Sequence, residues 1–233
     1  MIDKILKELK SKKNAEQAKN LSRFFKTGKG QYGEGDIFWG IKVPAIRETV
    51  KKFKEASLKD IQELLNSKVH EHRLTGLLIL VEKNKKAENK KEIYDFYLKN
   101  TKNINNWDLV DLTAPHIVGG FILENKKERK ILYSLVKSNN LWERRISVLS
   151  TFTLLREKEY EDVLKISELL LKDEHDLIHK ALGWMLREIG KRDKEIEIKF
   201  LEKYHRVMPR TMLRYSIEKF NLKEKEKYMK KEA

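Results

Sequence analysis

Apolar residues recur at helical spacing along almost the whole chain, and little interrupts them. In "LKDIQELLNS", Leu58, Ile61, Leu64 and Leu65 fall on one face. The segments "KEIYDFYLKN", "RKILYSLVKS", "YEDVLKISELLLKD" and "KEIEIKFLEKYH" repeat the pattern. Convincing strand alternation is absent. Only 3 prolines and 10 glycines occur in 233 residues, and several of the glycines cluster between positions 28 and 40. These features predict an all-α fold.

The predicted helices pair, and the pairs repeat. Trp107 and Trp142 each stand at a predicted helix start, 35 residues apart. Arg145, Lys180 and Arg214 recur at intervals of 35 and 34. Arg73, in "VHEHRLTGLLIL", fits the same series with a longer insertion after it. A two-helix unit with a period in the mid-thirties to forties reads as an α-solenoid of HEAT-like pairs. One pair cannot bury its apolar face alone, so neighbours must stack. We expect a single domain over residues 1–233, with N-terminal helices and a glycine-rich loop in 1–42 and stacked pairs in 43–233.

Charge then suggests a partner. Lys and Arg number 51 against 36 Asp and Glu, for a net charge of +15. With 40% hydrophobic residues the chain folds rather than staying disordered. Such an excess favours polyanions, nucleic acid first and an anionic membrane surface second. One cation per repeat, at the start of each second helix, would line a concave face and match a phosphate backbone. Helix N-termini there would add partial positive charge and N–H donors. Arg145, Lys180, Arg214 and Arg73 are candidates, with Arg47 one turn into the helix after Pro44. The competing reading pairs each with an acid such as Glu143.

Several classes are excluded or made improbable. The chain has no cysteine, which removes disulfides, thiolate nucleophiles and zinc–cysteine sites. "MIDKILKELKSKK" has no apolar core of a signal peptide, and no window reaches about 18 apolar residues. A soluble, cytoplasmic protein is expected, with no membrane association. "GKGQYG", residues 28–33, satisfies G-x-G-x-x-G, but a helical segment precedes it and no parallel sheet is available, so it reads as a connector. "HEH" at 70–72 lacks H-E-x-x-H spacing, and His175 and His179 in "HDLIH" lack a third ligand. No metal and no cofactor are expected.

The most pointed stretch is "NNWDLVDLTAP", residues 105–115. Asn105 or Asn106 can cap a helix starting near Trp107. In that helix Trp107 and Asp111 share a face. A salt bridge to Arg144 or Arg145 is one account of Asp111. The other is chemical: a carboxylate facing DNA repels phosphates and helps only if a cation forms beside it. An N-alkylated purine is such a cation, and the sugar becomes oxocarbenium-like as its N-glycosidic bond breaks. Indole faces favour cationic bases by about 0.5–2 kcal/mol. Trp39 and Trp142 are left as structural.

The set "NNWDLVD", "LWERRISVLSTF", "IHKALGWMLREIGKRD" and "MPRTMLRYSIEKF", with "YGEGDIFWGIKVPAIR" before it, resembles the AlkD-like DNA alkylation repair family over nearly the whole chain. The resemblance implies a right-handed superhelix of HEAT-like repeats and a monofunctional glycosylase. Such an enzyme excises N3- and N7-alkylated purines from double-stranded DNA, as a monomer without cofactor or obligate protein partner. It implies Asp111 as the catalytic carboxylate and Trp107, Trp184 and Phe24 as lesion-contacting aromatics. Arg145 is implied to grip the backbone nearby. Phe24 stands where a tyrosine is expected, so the ring is kept and the hydroxyl lost. Two other readings stay open: a non-catalytic repeat protein binding bent or damaged DNA, and a scaffold for acidic peptides.

Overall fold

The computed structural model describes residues 1–230, and their regular structure is helical. Ile37 and Val69 form an isolated bridge, and no strand forms among the described residues. The chain makes two compact units, Met1–Phe121 and Ile122 onward.

The first unit holds α1 (Ile2–Ser11), α2 (Ala15–Phe24), α3 (Val43–Lys52), α4 (Leu58–Leu65), α5 (His70–Lys86), α6 (Lys90–Lys99) and α7 (Trp107–Asp111). Helix α5 organises it. Every residue from His70 to Val81 is buried, which a one-faced amphipathic helix would not achieve. Helices α3, α4, α6 and α7 pack around it. Leu77, Ile79 and Leu80 are fully buried, and truncating one such residue to alanine typically costs about 2–5 kcal/mol. The first turn of α5 is different, because His70, Glu71, His72 and Arg73 are polar and buried. Buried polar groups need partners, and these four reach out to the rest of the unit.

One turn of π-helix, Pro115–Gly119, and α8 (Gly120–Glu124) follow. The second unit contains α9 (Lys130–Leu135), α10 (Leu141–Arg156), α11 (Glu161–Leu169), α12 (Asp176–Gly190), α13 (Lys194–Tyr204), α14 (Arg210–Ser216) and α15 (Leu222–Met229). Helix α12 packs on both α10 and α14, so these helices stack in chain order. Gly183 permits the close approach of α14, since a Cβ there would lie 2.5 Å from the Met212 carbonyl oxygen. The repeat seen in the sequence has an exact structural counterpart: Arg145, Lys180 and Arg214 are each the fifth residue of α10, α12 and α14. No helix among the described residues is long and apolar enough to cross a membrane.

Candidate active site

Helix α7 carries the candidate chemistry. Asn106 caps it, accepting from the Trp107 amide at 2.9 Å, while Asn105 donates to Asp36 at 3.1 Å. Leu109 and Val110 supply its fully buried side. Leu112 is half-buried just past its end. Trp107 and Asp111 open and close the helix, and both are half-buried.

Trp107 belongs to an aromatic cluster. Its ring stacks on Phe25 with centroids 5.2 Å apart and meets Phe24 edge-on at 5.9 Å. Phe24 is 63% exposed, an uncommon state for a phenylalanine not occupied elsewhere. The Tyr32 hydroxyl donates to the Phe24 carbonyl at 3.5 Å, which puts a phenol beside the residue that lacks one. Asp111 lines a cleft of about 120 Å³ with Arg47, Lys85 and His116. That is well below the ~300–1,000 Å³ of sites that engulf a small molecule. Glu82 also lines a larger recess of about 450 Å³, where Glu55, Glu88 and Glu92 join it against Lys54, Lys83 and Lys86.

The glycine loop turns its amides inward. Gly28 donates to the Gln31 side chain at 3.0 Å and Gly30 to Glu34 at 2.7 Å. Its exit is fixed by Glu71, buried to 1%, whose carboxylate accepts from the amides of Trp39, Gly40 and Ile41 at 2.7–3.1 Å. Gly40 has φ +78, and a Cβ there would collide with the Asn14 carbonyl.

Beneath the aromatic cluster lies a charged network. His70 contacts Asp108 through Nε2 at 2.8 Å and Asp36 through Nδ1 at 3.3 Å. Arg73 donates to Asp36 at 2.8 Å and to the Ser67 carbonyl at 2.7 Å. Burial works to lower the His70 pKa, but the two carboxylates outweigh it and raise it to about 9. Burial would raise the Asp36 pKa, yet His70, Arg73 and Asn105 hold it below the usual carboxylate value. His72 differs: burial, with Lys13 and Arg73 nearby, lowers it to about 4, so it stays neutral at pH 7.

The other candidates take separate positions. Arg73 is 4% exposed and committed to Asp36, so it is not an open phosphate contact. The helical period placed it in the cation row, but period does not reveal that an acid waits in the core. Arg47 is exposed on α3. In the second unit Arg145 is 5% exposed and donates to the Leu177 carbonyl, tying α10 to α12. Lys180 pairs with Asp176 at 2.7 Å, an exposed i,i+4 bridge of the kind worth about 0.3–0.5 kcal/mol and easily exchanged for a phosphate. Arg214 is exposed. Trp184 is half-buried, 5.7 Å from Phe152. Arg144 is held by Asp173 at 2.7 Å and by the Ser138 and Asn139 carbonyls. Trp142 is buried, whereas Trp39 is half-buried with the Lys13 ammonium 3.5 Å from its ring centroid. His175 caps α12 through Nδ1 at 3.1 Å, and His179 contacts the Asp173 carbonyl.

Sequence reasoning missed Asp36, His70, Glu71 and Asp108. The available signal was polar residues opening an otherwise apolar helix, "HEHRLTGLLILV".

Among the described residues the regular structure is all-helical, with a carboxylate and an indole one turn apart and an exposed ring beside the indole. The chain belongs to the DNA alkylation repair enzyme family, whose model matches residues 5–220. Its structure is similar to that of a predicted DNA alkylation repair enzyme from Enterococcus faecalis, with a TM-score of 0.71 at 16% identity, covering 91% of this chain and 98% of that one. No curated protein matches the chain significantly.

Proposed function

We propose that the protein is a monofunctional DNA glycosylase that hydrolyses the N-glycosidic bond of N3- and N7-alkylated purines in duplex DNA. The observation that carries this reading is a wall of the first unit: exposed Phe24 edge-on to half-buried Trp107, with Asp111 one helical turn further on.

The chemistry follows from charge. Alkylation at N3 or N7 makes the base a cation before any bond breaks. Phe24 and Trp107 offer ring faces to that cation. As the bond from C1′ to the base nitrogen lengthens, its electron pair goes to the base, which leaves neutral. Positive charge passes to the sugar, and the Asp111 carboxylate stabilises it. Water adds its oxygen to C1′, and Asp111 orients it or takes its proton. The products are the free alkylpurine and an abasic deoxyribose. The small cleft at Asp111 suits a sugar edge better than a whole base. Lys180, Arg214 and Arg47 are assigned to phosphates and Trp184 to an aromatic contact with the DNA, while Arg145, 5% exposed and spent on the Leu177 carbonyl, is assigned to tying α10 to α12. In this reading the enzyme acts as a monomer and needs no cofactor.

The test is to incubate the protein with methylated duplex DNA and measure free 3-methyladenine and 7-methylguanine. Release without strand cleavage is expected, leaving abasic sites that break only on later alkaline treatment. Salt-sensitive duplex binding without release would mean a non-catalytic DNA binder. Absence of salt-sensitive binding would point instead to an acidic peptide partner.

A further inference from the structure

The "HEHR" stretch, His70–Arg73, fails as a metal motif, yet it is the most densely bonded part of the first unit. We propose that His70 is a positioning residue whose imidazolium, clamped between Asp36 and Asp108, sets the orientation of α7 and hence of Trp107 and Asp111. This rests on reading α7 as the wall that carries the chemistry.

Helix α7 has five residues, too few to hold a helix without tertiary support. Leu109 and Val110 anchor one side of it, but apolar packing alone does not fix rotation. Asp108 does, by offering a carboxylate to His70 at 2.8 Å, and Asn105 adds a tether to Asp36 at 3.1 Å. A second route reaches α7 through rings. His70 lies 5.1 Å from Phe25 and 4.6 Å from Phe38, and Phe25 stacks on Trp107. Hydrogen bonds and stacking thus join one buried imidazole to both the Asp108 carboxylate and the Trp107 indole of the wall.

The geometry also dictates the charge. Both ring nitrogens face carboxylates, and only the doubly protonated ring can donate to both. His70 is 2% exposed, and the side chains of Asp36 and Asp108 are 5% and 9% exposed. Asp36 faces it from the glycine-rich loop, Asp108 from α7, and Arg73 from its own helix; Phe25 and Phe38 bring no charge. With His70 protonated, the two acids and two bases balance. Losing the proton leaves a buried net negative charge and removes one of the two bonds. A pKa of about 9 keeps the clamp closed at neutral pH.

The full-length protein labelled with 5-fluorotryptophan reads the orientation directly, with the Trp107 resonance assigned by Trp107→Phe. In the wild type that resonance is expected to shift with a midpoint near pH 9. In His70→Gln it should sit at a displaced position and ignore pH over the same range. Single-turnover release of 3-methyladenine at pH 7 is expected to fall about 10²-fold in His70→Gln, the scale of a misplacement of about 1 Å. Affinity for undamaged duplex should change less than about twofold. A wild-type Trp107 resonance that stays flat from pH 8 to 10, or a variant with wild-type resonance and rate, overturns the proposal. Should His70→Gln not fold, the wild-type titration and Asp108→Asn decide the matter by the same resonance. If the wild type releases no methylpurine, the glycosylase reading fails, while the fluorine titration still decides whether His70 orients Trp107.

Discussion

The row of cations on α10, α12 and α14 and the wall on α7 are built by opposite means. Each cation is the fifth residue of its helix, so ordinary helical geometry and a repeated spacing place it. The wall sits on a helix of one and a half turns. Its fixings come from residues 38 and 69 positions away in sequence, His70 for Asp108 and Asp36 for Asn105. Local rules therefore suffice for that row, of which Lys180 and Arg214 reach the surface assigned to binding and Arg145 is turned into the α10–α12 contact. The surface assigned to chemistry depends on a buried network assembled across the first unit. Damage to the row should weaken binding and leave the chemical step intact, and damage beneath the wall should do the reverse.

The largest effect separating the two regions lies in stability against pH. The folded pKa of His70, about 9, exceeds its ordinary value of 6.5, so the folded state holds the proton more tightly than the unfolded chain. The resulting stabilisation is fully present below pH 6.5 and is lost as pH rises through 9. Its size is about 3 kcal/mol from that shift. Urea unfolding of the wild type and His70→Gln should show a gap that is widest below pH 6.5 and shrinks by about that amount by pH 10. Taking the difference matters, because Glu197 titrates over an overlapping pH range. It is 2% exposed, and burial pushes its pKa up to about 8, so its folded form stays protonated and it too costs stability as pH rises from 4.5 to 8. That contribution is common to both proteins. A pH-independent gap would mean that His70 is not charged in the fold.

A smaller effect should come from the row. Lys180→Ala with Arg214→Ala should lower the slope of log affinity against log salt by about 2, roughly one per phosphate contact. Damaged and undamaged duplexes should suffer equally, because phosphate contacts position without reading bases. The single-turnover rate from bound DNA should stay unchanged. A slope that does not move would take both residues off the backbone. The wild-type stability profile against pH is expected to survive this pair of substitutions.

The same contrast explains what could be read in the sequence. Helical period exposed the all-α fold, and the 35- and 34-residue spacings exposed the stacking of α10, α12 and α14. Trp107 and Asp111 could be paired because i and i+4 share a face. Arg73 went astray for a physical reason: spacing locates a side chain on a helix but does not say whether an acid has been buried opposite it. The His70 clamp was hidden because its partners are distant in sequence and each looks ordinary alone. Asp108 reads as an acid in a helix first turn, and Asp36 as one more polar residue in a glycine-rich loop. Only the burial of α5 from its first residue turns that polar opening into a demand for partners.

The account turns on Asp111. Asp111→Asn keeps the shape of the side chain and removes its charge. Single-turnover release of 3-methyladenine should then be measured alongside a binding titration on the same duplex. The account predicts a rate lower by about 10²–10³, the usual loss for one well-placed electrostatic stabiliser. Duplex affinity should be equal or slightly higher, because a charge that repelled phosphates is gone. Normal excision by Asp111→Asn would contradict the account and leave Asp111 with a structural role alone.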